Sequence, residues 1–284
     1  MTIAADIGPL NPGFTLRHYL ICMSGIVWRE ALRFTHQRER FFAALVRPLL
    51  WLFIFAAGFR QVLGVSIIPP YQTYILYEVF IVPGLVAMIQ LFNGMQSSLS
   101  MVYDREMGNM RTLLISPLPR WFLLTSKLLA GVAVSLLQVY VFLAIALLWD
   151  IKMPAIGYLA VLPAMILSGL MLGAFGLMLS SVVKQLENFA GIMNFVIFPM
   201  FFASSALYPL WRIREASPLL YHICQWNPFT HAVELIRFSL YGEINWTALA
   251  IVSGCTAVFL TAAFIAYDPA RGLMTRRGGQ GSTE

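Results

Sequence analysis

The chain has 284 residues, 59% of them hydrophobic and only 11% charged, whereas a soluble domain is roughly half apolar and a quarter charged. A mean hydropathy of +0.75 sets aside an ordinary soluble enzyme, and the length suits one bundle of several membrane helices. The net charge of +6 does not indicate nucleic acid: the basic residues are scattered between apolar stretches, as they are beside membrane spans, and form no basic face.

In chain order, the first forty residues carry Arg17, Arg29, Arg33, Arg38 and Arg40 and no long apolar run, so no signal peptide is evident and this segment is expected to be cytoplasmic. Within it Leu16, Tyr19, Leu20, Met23, Ile26, Val27, Ala31 and Phe34 recur at three- and four-residue steps. That pattern predicts an amphipathic helix over about 16–40, lying at the membrane interface or packed on protein. Six stretches then reach the roughly 20 apolar residues a spanning helix needs: 43–63, 79–101, 124–149, 156–183, 188–210 and 246–267. An even number of spans puts both termini on one side. Only Arg60, Lys152, Arg212, Arg214 and Arg237 of the 19 lysines and arginines then fall on the opposite side. This bias predicts cytoplasmic termini. The expected organisation is a cytoplasmic segment and interfacial helix at 1–42, an all-α six-span domain at 43–267 and a basic cytoplasmic tail at 268–284.

Local patterns refine this outline. "GLMLG" at 169–173, followed by Gly176, offers small residues for close helix packing in span four. Cys22, Cys224 and Cys255 show no metal-ligand spacing and read as small apolar filler. The four histidines, His18, His36, His222 and His231, share no ligand spacing and accompany no nucleophile, so neither a metal site nor catalysis is expected. The segment "DREMGNMRTLLISPLPR" at 104–120 is different in kind. Embedding Asp104, Arg105, Glu106, Arg111 and Arg120 would cost on the order of 12–17 kcal/mol at about 2.5–3.5 kcal/mol per charge, so the segment leaves the bilayer. Its acidic residues suit the start of a short helix, Met107, Met110, Leu113 and Leu114 follow at helical spacing, and Pro117 and Pro119 stop it. Two readings stay open from these residues: a helix that docks on a soluble partner, or a solvated loop that sets topology.

"DREMGNMRTLLISPLPRWFLLTSKLLAG" at 104–131 resembles the cytoplasmic connection between spans two and three of type-2 ABC exporter membrane domains. "NPFTHAVELIR" at 227–237 resembles the element before that family's last span, and "FIVPGLVAM" at 80–88 the start of its second span. The three matches fall in the family's order across a six-span layout. The resemblance implies a homodimer, or a pair with a related permease, bound to two ATP-binding subunits that carry ATP and Mg. This chain itself would bind no cofactor. The sequence agrees in one respect: none of its three lysines, Lys127, Lys152 and Lys184, follows a glycine, so it has no phosphate-binding P-loop.

The resemblance also assigns residues. Coupling to the ATPase would fall to Asp104, Arg105, Glu106, Gly108, Met110, Arg111 and Leu114. A substrate path lined by spans two and five would use Phe92, Asn93, Gln96, Asn194, Phe195, Phe198 and Phe201, with Gln90 and Ser97 nearby. Polar amides among aromatics suit an amphipathic or lipid-like cargo, and the resemblance leaves the class open among drugs, lipids, glycolipids and polysaccharides. Asn93 and Asn194 could equally hydrogen-bond between helices. Past Pro199, residues 204–237 are too polar to cross again and would form short outer-leaflet helices, an external gate built with Trp211, Trp226, Asn227, Pro228, Glu234 and Arg237. Glu234 and Arg237 are read as a surface pair of little energetic weight. The expected location is the bacterial inner membrane. The rival class is an ion-gradient secondary transporter, which would embed acidic residues or show a doubled hydropathy pattern. Here Glu78 and Glu187 lie at span edges and no repeat is visible.

Overall fold

A 30-residue helix, α3 (Tyr77–Glu106), forms the axis of the molecule. The computed structural model describes residues 16–36, 38–59, 64–65, 69–71, 75–106, 119–183 and 186–266. Against α3 pack α2 (Arg38–Phe59), α4 (Arg120–Leu148), α5 (Gly157–Val182) and α6 (Leu186–Phe202), while α1 (Leu16–His36) packs on α4 and α10 (Trp246–Ala266) on α5. Three short helices, α7 (Leu210–Ala216), α8 (Pro218–Trp226) and α9 (Pro228–Leu240), fill the interval between α6 and α10. A minimal antiparallel hairpin, β1 (Gly64–Val65) against β2 (Ile75–Leu76), joins α2 to α3 with Gly64 opposite Leu76.

Among the described residues four helices, α3, α4, α5 and α10, are long and apolar enough to cross a membrane, and shorter apolar helices run over Leu45–Ile54 and Gly191–Phe202. The sixfold expectation therefore meets four full-length spans and two shorter apolar stretches. Of the apolar windows, 83% of that in α3 is buried but only 22% of that in α10, which makes α3 central and α10 peripheral. Several serine and threonine hydroxyls inside the helices donate to a carbonyl one turn back. Ser98 donates to Gly94 O at 2.9 Å, Ser135 to Val132 O at 2.8 Å and Thr256 to Val252 O at 2.7 Å.

The glycines of "GLMLG" work as the sequence suggests. A methyl on Gly94 of α3 would sit 3.0 Å from the Gly173 Cα of α5, and one on Gly176 would sit 3.0 Å from Gly94 O. Lipid supplies no hydrophobic force between helices, so such backbone proximity and its dispersion contacts hold α3 to α5. Gly94→Leu should drive the two helices apart and cut the recovery of monodisperse protein on size exclusion severalfold. Gly254→Leu, whose Cβ meets nothing within 4 Å, should elute as the wild type does.

Three boundaries differ from expectation. α2 begins at Arg38, not 43, because the charged turn Arg38–Arg40 continues the helix. α6 ends at Phe202, not 210; residues 203–209 that follow leave the helix as a turn whose centre, 204–207, is buried. Asp104 and Glu106 do not begin a separate helix. They close α3, since no glycine lies between Gly94 and Gly108 and no proline follows Pro83 until Pro117.

Candidate functional site

At one end of the bundle α3 runs out at Asp104, Arg105 and Glu106, and α4 starts at Arg120 behind Pro119, whose φ of −62° and ψ of 142° suit a helix entry. Gly108, Met110, Arg111 and Leu114 lie outside the described residues, so this end is defined by the two helix termini that carry them. α1 packs on α4 here, with the Tyr19 ring edge-on to Phe122 at 4.9 Å. Tyr19, Met23, Ile26 and Val27 of the predicted stripe are half-buried, while Leu20, Ile21 and Trp28 stay exposed. The amphipathic helix therefore both packs on protein and presents apolar surface.

The stretches expected to line a path are brought together on one side of the bundle, where α3 and α6 pack beside each other. α2 links them. The Arg47 guanidinium stacks over the Phe92 ring of α3 at 4.0 Å. One turn further along α2, Trp51 meets Phe202 of α6 edge-on at 5.7 Å, and Phe202 stacks on Phe198 at 6.3 Å. Gln96, Asn194, Phe195 and Phe198 are exposed on this side, Phe195 at 79%.

Other path residues are committed elsewhere. Phe201 is 1% exposed and packs on Trp51 and Phe229, so it belongs to the core; Phe202, one residue and about 100° further round the helix, takes the exposed position. Asn93 donates to Ile89 O at 2.9 Å and to the Gln138 side chain of α4, a clasp between helices. Gln90 donates to Met165 O at 2.7 Å, and with Ser97 it lines a cavity of about 10 Å³ between α3, α4 and α5, room for about one water. Three participants in this face, Arg47, Trp51 and Phe202, were not among the residues expected there. The signal for Arg47 was available: it is the one charge within the apolar stretch Leu45–Ile54.

At the opposite end, the turn 203–209 is held from three directions. Tyr77 at the start of α3 donates to Leu207 O at 2.8 Å. Asn227 caps α9 by accepting from Phe229 N at 3.0 Å, and its amide donates at 2.7 Å to both Met200 O, in the last turn of α6, and Ala203 O, just beyond it. Pro228 follows at the first helical position, where its missing N–H costs nothing. Arg237 donates to Ser205 O at 2.7 Å, lies 4.2 Å over the Phe80 ring and pairs with Glu234. A methyl on Gly84 would lie 2.5 Å from Ala206 O, so only glycine lets this turn seat against α3. Irregular backbone at such depth survives only inside protein with its carbonyls satisfied.

The pair Glu234–Arg237 thus corrects the expectation of a surface contact. Its side chains are 17% and 4% exposed, with Tyr71 and Tyr241 packed edge to face at 4.9 Å beside them. Burial pushes the Tyr71 phenol well above its ordinary range and that of Tyr241 up to about 12, so both remain neutral beside the guanidinium. Glu78, expected at an edge, is also buried. Trp226 is 85% exposed and fits an interface position, whereas Trp211 is half-buried beneath Arg212, 4.8 Å away.

A family profile described as ABC-2 type transporter matches residues 23–241. The "Probable multidrug ABC transporter permease YbhR" of Escherichia coli (strain K12) is 32% identical over 171 residues, covering 59% of this chain and 45% of the relative. The chain thus spans about half the length of that relative. The "Putative transport permease ycf38" of Cyanophora paradoxa is 28% identical over 211 residues, 72% of this chain and 68% of its own. The protein of the same description from Porphyra purpurea is 26% identical over 230 residues, 79% and 75% respectively.

Proposed function

Since the chain belongs to the ABC-2 type transporter family and is a transmembrane subunit of an ABC transporter, we propose that it exports an amphipathic or hydrophobic substrate with energy from a separate ATP-binding subunit. The active assembly in this reading is two permease chains with two ATP-binding subunits in a bacterial inner membrane, termini inward. ATP and Mg sit on the partner. The observation that carries the substrate class is the face of exposed Gln96, Phe195, Phe198 and Phe202 beside half-buried Phe92, aromatic rings interleaved with a neutral amide. Such a surface accommodates an acyl chain or aromatic drug without desolvating a fixed acidic charge.

The segment between α3 and α4 would seat in the ATP-binding subunit. Its helical continuations on either side give a push there direct routes to the path through α3 and to α1 through α4. The far-end turn, pinned by Tyr77, Asn227 and Arg237, would close the path to the outside. Gentle detergent purification of the tagged chain tests the reading. A near-stoichiometric ATP-binding subunit with ATPase activity is the expected result. Recovery of the chain alone from several mild detergents would overturn the proposed assembly with an ATP-binding subunit.

A further inference from the structure

Arg47 is the residue on the exposed face that packing does not explain. It lies inside an apolar stretch, Leu45–Ile54, and its side chain is exposed. Among the described residues no carboxylate pairs with it; its recorded contact is the Phe92 ring. Phe92 lies 11 residues before Tyr103, where the apolar span of α3 ends, which is roughly 16 Å of helix. An unpaired charge within such an apolar stretch is strongly disfavoured where it faces lipid. The cation therefore needs water or an anion in front of it.

The surroundings say which part of a ligand it would meet. Phe92 fixes one face of the planar guanidinium and leaves its N–H edges to donate, the geometry that grips phosphate or carboxylate in pairs of hydrogen bonds. One turn along α2, Trp51 opens onto Phe202 and Phe198. A positive donor fork beside an aromatic strip matches an anionic headgroup with a hydrophobic tail. The two features come from a single helix, α2, which the path as read from the sequence did not include.

We infer that Arg47 is an anion-recognising residue of the substrate path, selecting amphiphiles that carry a phosphate or carboxylate next to a hydrophobic chain. The inference rests on the exporter reading for the word substrate, and on geometry alone for the binding preference. The test is equilibrium binding of radiolabelled dodecyl phosphate to the full chain in phosphatidylcholine nanodiscs, with and without its ATP-binding partner, against labelled dodecylphosphocholine and dodecyltrimethylammonium. The wild type should prefer dodecyl phosphate at least tenfold over both. Arg47→Gln should lower that affinity about tenfold and leave dodecylphosphocholine binding unchanged, while Arg47→Lys should restore part of it. Dodecanoate replacing dodecyl phosphate separates carboxylate from phosphate recognition.

Equal wild-type affinity for the three probes, or no saturable binding of the phosphate, overturns the inference. So does an Arg47→Gln variant that weakens all three equally, which would make Arg47 a packing residue for Phe92. The exporter reading fails separately, through absence of an ATP-binding partner. A complex that forms and hydrolyses ATP but shows no charge preference sinks only the role of Arg47.

Discussion

Arg237→Ala should destabilise the protein by about 3–5 kcal/mol, the range for removing one partner of a buried ion pair. The substitution leaves Glu234 uncompensated in a site where it is 17% exposed, and it orphans the Ser205 carbonyl of the buried turn. It also empties the space over Phe80. At a few degrees per kcal/mol, the unfolding midpoint followed by tryptophan fluorescence in detergent should fall by about 10 °C. The paired variant Glu234→Leu with Arg237→Met should recover most of that loss, because apolar replacements of a whole buried pair are often neutral or better. An Arg237→Ala midpoint within about 2 °C of the wild type would mean that Tyr77 and Asn227 hold the turn without it.

The second large effect is on activity. Glu106→Arg or Met110→Asp should abolish substrate-stimulated ATP hydrolysis in the complex while expression and the detergent elution profile stay unchanged. Glu106 ends α3, whose opposite end holds the turn through Tyr77, so charge reversal would act at the base of a helix that joins both ends. The measurement is ATPase rate with and without an added amphiphile such as dodecyl phosphate. Full stimulation in both variants would remove the 104–120 segment from energy transfer and leave it as a topological loop.

The long spans were legible in the sequence because uninterrupted apolar runs bounded by charge and proline leave little choice. The expected 124–149, 156–183 and 246–267 correspond to Arg120–Leu148, Gly157–Val182 and Trp246–Ala266. The end of α6 was misread because hydropathy reports surroundings, not backbone conformation: Ala206 and Leu207 are as buried as any helical residue yet sit in a turn. The spacing of Glu234 and Arg237 was visible, but their depth was not. It depends on Phe80 and Ser205, which are far away in sequence. Phe201 and Phe202 show the same limit one residue at a time. Both are aromatic and only the packing of Trp51 and Phe229 decides which faces inward. Arg47 reads in sequence as one more cation beside a span, and only its partner on α3, Phe92, sets it apart.

The bonds from Asn227 to Met200 and Ala203 close a loop at its base: α7 and α8 leave and return through one polar staple, and they pack chiefly on each other and on α9. Engineers could treat 210–226 as a cassette. A peptide epitope or a single reporter cysteine grafted near Ser217, between the two helices, would hang from a frame whose ends are already fixed. Labelling it from one side of intact cells with a reagent that cannot cross the membrane would then read the sidedness of the whole molecule directly, with the rest of the bundle undisturbed.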